Sequence, residues 1–444
     1  MRLTGLRRSG PVLAAFALLA ASALPQNAPP ETLVRAAARP ITGSDADYSD
    51  LVAAAGATRR VMMGESTHGT HEYYRERGRI TERLIRDFGF NAVAIEGDWS
   101  ATSRVNRYVR GLGSDRSAAE ALGGYRSFPR WMWANRDFAE FIERLRALNL
   151  TRPPEQRVGV YGMDVYDLFD AADAVVAYLQ LAGPAAGQRA RRHYRCFARY
   201  DRSTQAYAIA VRRPSRSCQP AAEAVLAEVR QMPRPSAPEA AERHFAAVRS
   251  AASVAAAEAY FRTVAIGSLA WNVRDEHMAG NVEDIAAHAE ALSGRPGKVV
   301  IWSHNSHTGD ARATAAANRG ELNLGQLMRQ RHGEAAFLIG FFSHSGTLRA
   351  APEWGASGRV YRIRPALPGS HAALFQETGL PAFSLLLRGQ AGLAERFGES
   401  MLQRAIGVVY RPDTERESHY FGARLSRQFD AVVFFDQSIA VTPL

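Results

Sequence analysis

The chain has 444 residues, 46% of them hydrophobic, and a formal net charge of +11. That is enough for one large α/β domain or for a core carrying an inserted subdomain. The positive charge does not mark a nucleic-acid binder: it is almost all arginine, with Lys298 the only lysine, and it is interleaved with acids, as in Arg75, Glu76, Arg77, Arg79, Glu82 and Arg83.

Arg2, Arg7 and Arg8 precede an apolar run, Pro11 to Leu24, that closes on Ala21-Ser22-Ala23. This is the pattern of a secretory signal peptide, expected over 1–23 and too short to span a membrane once cleavage is allowed for. The expected location is periplasmic or secreted, with no stable membrane span after cleavage. The Pro-rich stretch 24–44 reads as an arm or linker. From there short apolar runs alternate with helical ones. RVMMG (60–64) reads as a strand. Residues 70–87 have a helical pattern stopped by Gly89. NAVAIE (91–96), 158–162, KVVIWS (298–303), 335–342 and 431–435 read as further buried strands. Continuous apolar strands separated by helices predict an α/β fold with a mainly parallel sheet covered by helices, built from 45–167 and 293–444. Between 168 and 292 strand signals vanish, which predicts an all-helical insertion acting as a cap. In an oxidising compartment Cys196 and Cys218, the only cysteines, are expected to form a disulfide.

Ligands of open α/β sheets bind beyond the carboxyl ends of the strands. The polar residues at those ends are therefore the candidates. RVMMG leads into Glu65 and His68, NAVAIE ends on Glu96 with Asp98 and Trp99 following, VGVYGMD delivers Asp164, and KVVIWS runs into His304-Asn305-Ser306-His307. Burying ionisable groups without partners is costly, so their convergence at strand ends points to a site. His71, His419 and Tyr420 are further candidates for substrate contact, and Trp99, Trp131, Trp133 and Trp302 for apolar walls. Arg274 and Asp275, in WNVRDEHMAGNV, read first as an ion pair holding the cap, with substrate contact the alternative.

These stretches, GESTHGTHEYYRERGRITERLIRDFGFNAVAIEGDWS above all, together with RWMWANRDFAEFIERLRALN, VVIWSHNSHTGDA and ESHYFGARLSRQFDAVVFFDQS, resemble the erythromycin esterase family. The resemblance implies a hydrolase that opens a macrolactone or cleaves another small-molecule ester without a cofactor. It implies that His68 is the general base acting on water, with Glu65 as its partner and Arg77, Glu96, His304 and His307 completing the catalytic set. The residue types agree. Ester hydrolysis by water needs a base that titrates near neutrality, a carboxylate to fix its tautomer, and donors for the oxyanion, which Arg77, His304 or His307 can supply. No Gly-x-Ser-x-Gly elbow occurs, and Ser66 beside His68 lacks that context. Two alternatives stand beside this reading. Glu65, His68, His304 and His307 form a possible ligand set for a divalent metal such as zinc, although neither pair has the helical His-Glu-x-x-His spacing. An exported haem- or metal-binding protein without catalysis is the other.

Overall fold

The computed structural model describes residues 29–444, so the expected signal peptide lies outside the described residues. Eleven strands occur among them: β1 (Arg39–Pro40), β2 (Arg60–Met63), β3 (Ala92–Ile95), β4 (Gly159–Gly162), β5 (Val299–Trp302), β6 (Ala336–Ala350), β7 (Arg359–Ile363), β8 (Ala382–Leu386), β9 (Met401–Arg404), β10 (Tyr420–Ala423) and β11 (Ala431–Ser438). Nine form one sheet in the order β1-β8-β11-β6-β2-β5-β3-β4, with β7 joined to β6. From β11 to β4 every neighbour is parallel, while β1, β8 and β7 add antiparallel pairing at one side. The sheet is therefore mainly parallel, as the run of buried strands predicts.

Alternation along these strands feeds two cores. Val61 and Met63, Val93 and Ile95, and Val300 and Trp302 point to one face, and Met62, Ala92, Ala94, Val299 and Ile301 to the other. Both faces are covered, which is why the strands read as unbroken apolar runs instead of alternating ones. The helix His71–Phe88 ends where the sequence places its cap, with Gly89 left-handed at φ 71°.

Two stretches differ from the sequence reading. The arm is ordered as the helix Pro30–Ala37 followed by β1, which pairs with β8 at the sheet edge. Pro29-Pro30 suggests a linker by composition, yet proline is favoured at the first helical position, and Val34 is fully buried. The segment after β6 also carries β7 to β10, strands too short and too polar to stand out as apolar runs.

The strand-free stretch contains helices from Leu168–Ala182 to Pro238–Thr263 that close around their own core, with Leu168, Val175, Phe197, Val225 and Val254 buried in it. Cys196 and Cys218 are bonded there, with Cα atoms 6.0 Å apart. The last long helix, Gly267–Ser293, instead lays Met278, Val282, Ile285 and Ala286 on the sheet. Glu242 ties the two together: buried, it accepts from Asn106 Nδ2 at 2.6 Å and contacts His288 Nε2 at 2.8 Å. Among the described residues no helix is long and apolar enough to cross a membrane.

Candidate active site

Register brings the candidates together. Met63 and Ile95 both sit opposite Trp302, and Ile95 opposite Gly162, so β2, β5, β3 and β4 end at one level. The residues that follow, Glu65, His68, Glu96, Asp98, Asp164, His304 and His307, therefore leave the sheet side by side. They meet beneath a cavity of about 760 Å³, lined among others by His68, Glu96, Asp98, Asp164, His304 and His307. The ends of the helices Pro238–Thr263 and Gly267–Ser293 supply Tyr260, Val264, Trp271 and Arg274 to its wall.

His68 sits 2.8 Å from Glu65 Oε1 through Nδ1, and its Nε2 is in no hydrogen bond among the described residues. A carboxylate at Nδ1 fixes the proton there, so Nε2 presents its lone pair to the cavity. The other Glu65 oxygen accepts from Arg77 Nη2 at 2.7 Å. Arg77 is fully buried between the rings of Tyr74 and Trp302, each 4.8 Å from its guanidinium carbon. Glu65 and Arg77 do not line the cavity, so Arg77 stands behind the base and does not reach a reacting oxyanion.

His304 lies against His68, with ring centroids 4.8 Å apart. Its Nδ1 accepts from the Ser306 N–H at 3.2 Å and contacts Ser306 Oγ at 2.8 Å. The proton of the neutral ring is therefore on Nε2, which is buried and has no hydrogen-bond partner. The Ser66 carbonyl lies near this N–H without reaching hydrogen-bond geometry. Burial, reinforced by the neighbouring His68, pushes the His304 pKa down to about 3, so the ring stays neutral through the physiological range. A neutral imidazole with a buried, unpartnered N–H thus stands beside His68, and both residues line the cavity.

Glu96 and Arg274 hold this pair in place. Glu96 Oε2 accepts from the His304 backbone N–H at 2.7 Å, and Oε1 from Arg274 Nη2 at 2.7 Å. Burial alone would raise the Glu96 carboxyl, but His307, Arg274 and His68 hold it below the usual carboxylate range. Arg274 also grips Asp164 with two nitrogens, at 2.7 and 2.6 Å, and its Nη1 lies 2.9 Å from His307 Nε2. His307 Nδ1 in turn bonds Asp275 at 2.9 Å, and its ring stacks on Trp271 at 4.4 Å. In the neutral ring the arginine donor makes Nε2 an acceptor and leaves Nδ1–H for Asp275. Burial opposes charge on His307, yet Asp275 and Glu96 outweigh it and raise its pKa.

The remaining candidates divide. Asp98 lines the cavity with its carboxyl unbonded, and burial together with Asp167 and Asp164 raises its pKa well above the ordinary value. Asp167, absent from the sequence reading, is likewise pushed up by burial, to about 7, and accepts from the Ser100 N–H. His419 and Tyr420 line the cavity, but both His419 nitrogens are held by backbone, at Arg411 N and Ala405 O, so the ring offers only a face. His71 does not reach the cavity: its Nδ1 bonds Asp137 at 2.6 Å on the far side of the helix start. Trp99 is core as well, stacked on Tyr161 at 5.9 Å with its indole N–H on the Ala246 carbonyl. Of Trp131, Trp133 and Trp302, the other expected walls, Trp133 lines the cavity, where Trp271 and Trp354 join it. Ser66 donates to or accepts from Tyr73 Oη at 2.8 Å and is not part of the lining.

Of the four residues read as alternative metal ligands, two already have their donor atoms in hydrogen bonds. Both Glu65 oxygens and both His307 nitrogens are engaged, and among the described residues no group of three or more His, Cys, Asp or Glu is arranged to hold a metal ion. Arg274 and Asp275, expected to pair with each other, instead meet through His307, one at each ring nitrogen, while Arg274 also binds Asp164 and Glu96. Sequence spacing carries no sign of this, because a helix far along the chain has no register with the strand ends.

These histidines set an acid limit on stability. His304 and His277 are pushed down to about 3 and His371 to about 4, each chiefly by burial, against an ordinary value of 6.5. A folded-state value below the unfolded one means that the unfolded chain takes up protons that the native state refuses. This stabilisation is full above about pH 6.5 and is lost as pH falls toward 3, while the raised His307 works the other way. The net expectation is a loss on the order of a few kcal/mol between pH 7 and 4. Urea denaturation at a series of pH values checks it; stability that stays level to pH 4 would contradict neutral burial of these rings.

A family model described as erythromycin esterase matches residues 85–438. The match begins after Glu65, His68 and Arg77, so their part in the site rests on geometry. Among solved structures the chain is similar to one described as a succinoglycan biosynthesis protein, with a TM-score of 0.75 and 18% identity over 93% of this chain and 97% of that one. It is similar to a Bacillus cereus protein, with a TM-score of 0.77 and 17% identity over 94% and 98%. A mutant of the erythromycin esterase EreC in its open conformation gives a TM-score of 0.63 and 14% identity over 88% and 94%. At these identities the likeness is one of fold.

Proposed function

We propose, since the chain belongs to the erythromycin esterase family and is on that ground a hydrolase of a small molecule, that it cleaves a carboxylic ester or macrolactone by direct attack of water. The observation that carries this reading is the pair of rings 4.8 Å apart in opposite states, His68 with a free Nε2 lone pair and His304 with an unpaired Nε2–H. In the reaction His68 Nε2 takes a proton from water, and the hydroxide attacks the ester carbonyl carbon. The negative charge that forms on the carbonyl oxygen is met by the His304 N–H, a donor with no hydrogen-bond partner among the described residues. Collapse breaks the acyl C–O bond, and the departing alkoxide takes the proton back from the His68 imidazolium. Acid and alcohol are the products, with no group transferred to the enzyme.

Glu65 keeps the His68 proton on Nδ1 and supports the imidazolium, while Arg77 holds Glu65. Glu96 and Arg274 position His304 and His307. Asp98, Asp164 and Tyr420 lie where substrate polar groups reach, and the helical unit after residue 168 caps the cavity through its Tyr260–Arg274 end. The engaged donors of Glu65 and His307 support a reaction without a metal. The Cys196–Cys218 bond supports an exported protein, because such bonds persist in oxidising compartments.

Two results are expected together. Ser66→Ala should retain most hydrolytic activity, since its hydroxyl is tied to Tyr73 and no acyl-enzyme is needed. Exhaustive chelation should leave turnover unchanged. A dead Ser66→Ala enzyme, or loss on chelation with recovery on adding a divalent ion, would refute the direct-water route.

A further inference from the structure

Of the side chains that line the cavity, two carry a buried polar atom without a hydrogen-bond partner among the described residues: His304 and Gln428. His304 has a role in the proposed reaction; Gln428 has none. Only 1% of Gln428 is exposed; its Oε1 is buried without a partner and its Nε2 enters no hydrogen bond among the described residues, although its backbone carbonyl accepts from Asp310 N at 3.1 Å. A carboxamide that has left water without a new partner is destabilising, so proteins keep such groups where something else pairs with them.

Room for this side chain is built in. Its amide lies over Gly309, where a Cβ would sit 2.5 Å from Gln428 Cγ and 2.7 Å from Nε2. Gly309 caps the short helix Asn305–Thr308, whose other cap is His304. Gln428 and His304 thus stand at opposite ends of one short helix, and both line the same cavity. A molecule whose ester lies at the histidines and that fills the cavity reaches both ends.

We infer that Gln428 is a substrate-reading residue, whose carboxamide pairs with a hydroxyl or carbonyl oxygen that the substrate carries away from its scissile ester. This rests on the ester-hydrolase reading and narrows it to polyoxygenated esters large enough to span both points; a short acyl ester reaches the histidines alone.

The test uses Gln428→Met, which keeps volume and removes both polar atoms, with erythromycin as a polyoxygenated macrolactone and 4-nitrophenyl acetate as a small ester. The ratio of kcat/KM for the two should fall about tenfold in favour of the small ester, the equivalent of one lost hydrogen bond. The ligand-free variant should melt at or above the wild-type Tm, because no internal bond is broken. A Tm lower by more than about 2 °C would show the carboxamide bonded within the protein and would overturn the inference. An unchanged ratio would overturn it too. If the wild-type protein hydrolyses neither ester, the ester-hydrolase reading has failed, and the Tm comparison still decides whether Gln428 is an unpaired, ligand-directed group.

Discussion

His68→Asn is expected to lower kcat for ester hydrolysis by at least about a hundredfold while leaving substrate affinity largely intact. Asparagine keeps much of the shape and can still bond Glu65, so the structural cost is small. What disappears is the lone pair on Nε2, the group that takes the proton from water. A positioned general base contributes ~10²–10⁴-fold, and an interaction made only on the way to the transition state appears in kcat. Glu65→Gln should cost as much or less: an imidazole remains, but the charge that fixes its tautomer and supports the imidazolium is gone. Steady-state kinetics on one ester with all three proteins checks the order. Activity of His68→Asn within a few-fold of wild type would remove His68 from the mechanism.

Arg274→Met has the largest expected effect on stability. One buried guanidinium serves Asp164 twice, Glu96 once and His307 once. Removing it leaves two carboxylates, 4% exposed each, without their counter-charge. Breaking a buried ion pair from one side costs about 3–5 kcal/mol, because the orphaned charge stays behind. Activity should fall with it, since Glu96 would take up a proton more readily and release the His304 backbone N–H it now holds. Arg274→Lys should lie between, keeping the charge but losing the two-pronged grip on Asp164. Chemical denaturation of the three proteins is the check, and a methionine variant within about 1 kcal/mol of wild type would contradict the role given to Arg274.

Much of the site is legible in the sequence because of where charge falls. Parallel strands buried on both faces read as unbroken apolar runs, and a glutamate, aspartate or histidine at the end of such a run has little reason to be there except a shared purpose. Glu65, His68, Glu96, Asp164, His304 and His307 were visible on that ground, and the register of β2, β5, β3 and β4 unites them. Proximity in sequence misleads where side chains diverge. His71 starts the helix after His68 but turns to Asp137, and Trp99 follows Asp98 but turns into the core. Groups supplied by helices can be noticed in the sequence, as Arg274 and Asp275 are, but their partners there cannot be read. Arg274, Asp275 and Gln428 sit on helices whose packing against the strand ends only the fold decides. Nor does a sequence show that His419 has spent both nitrogens on backbone, a matter of local loop geometry.

The central claim is that water, activated by His68, attacks the ester directly and no part of the substrate becomes bonded to the protein. The most direct measurement is the intact mass of the wild-type protein, acid-quenched at millisecond to second intervals during turnover of an ester it hydrolyses. The account predicts a protein mass unchanged at every time point while acid and alcohol accumulate. A transient increase equal to the acyl group, on Ser66 or any other side chain, would contradict it.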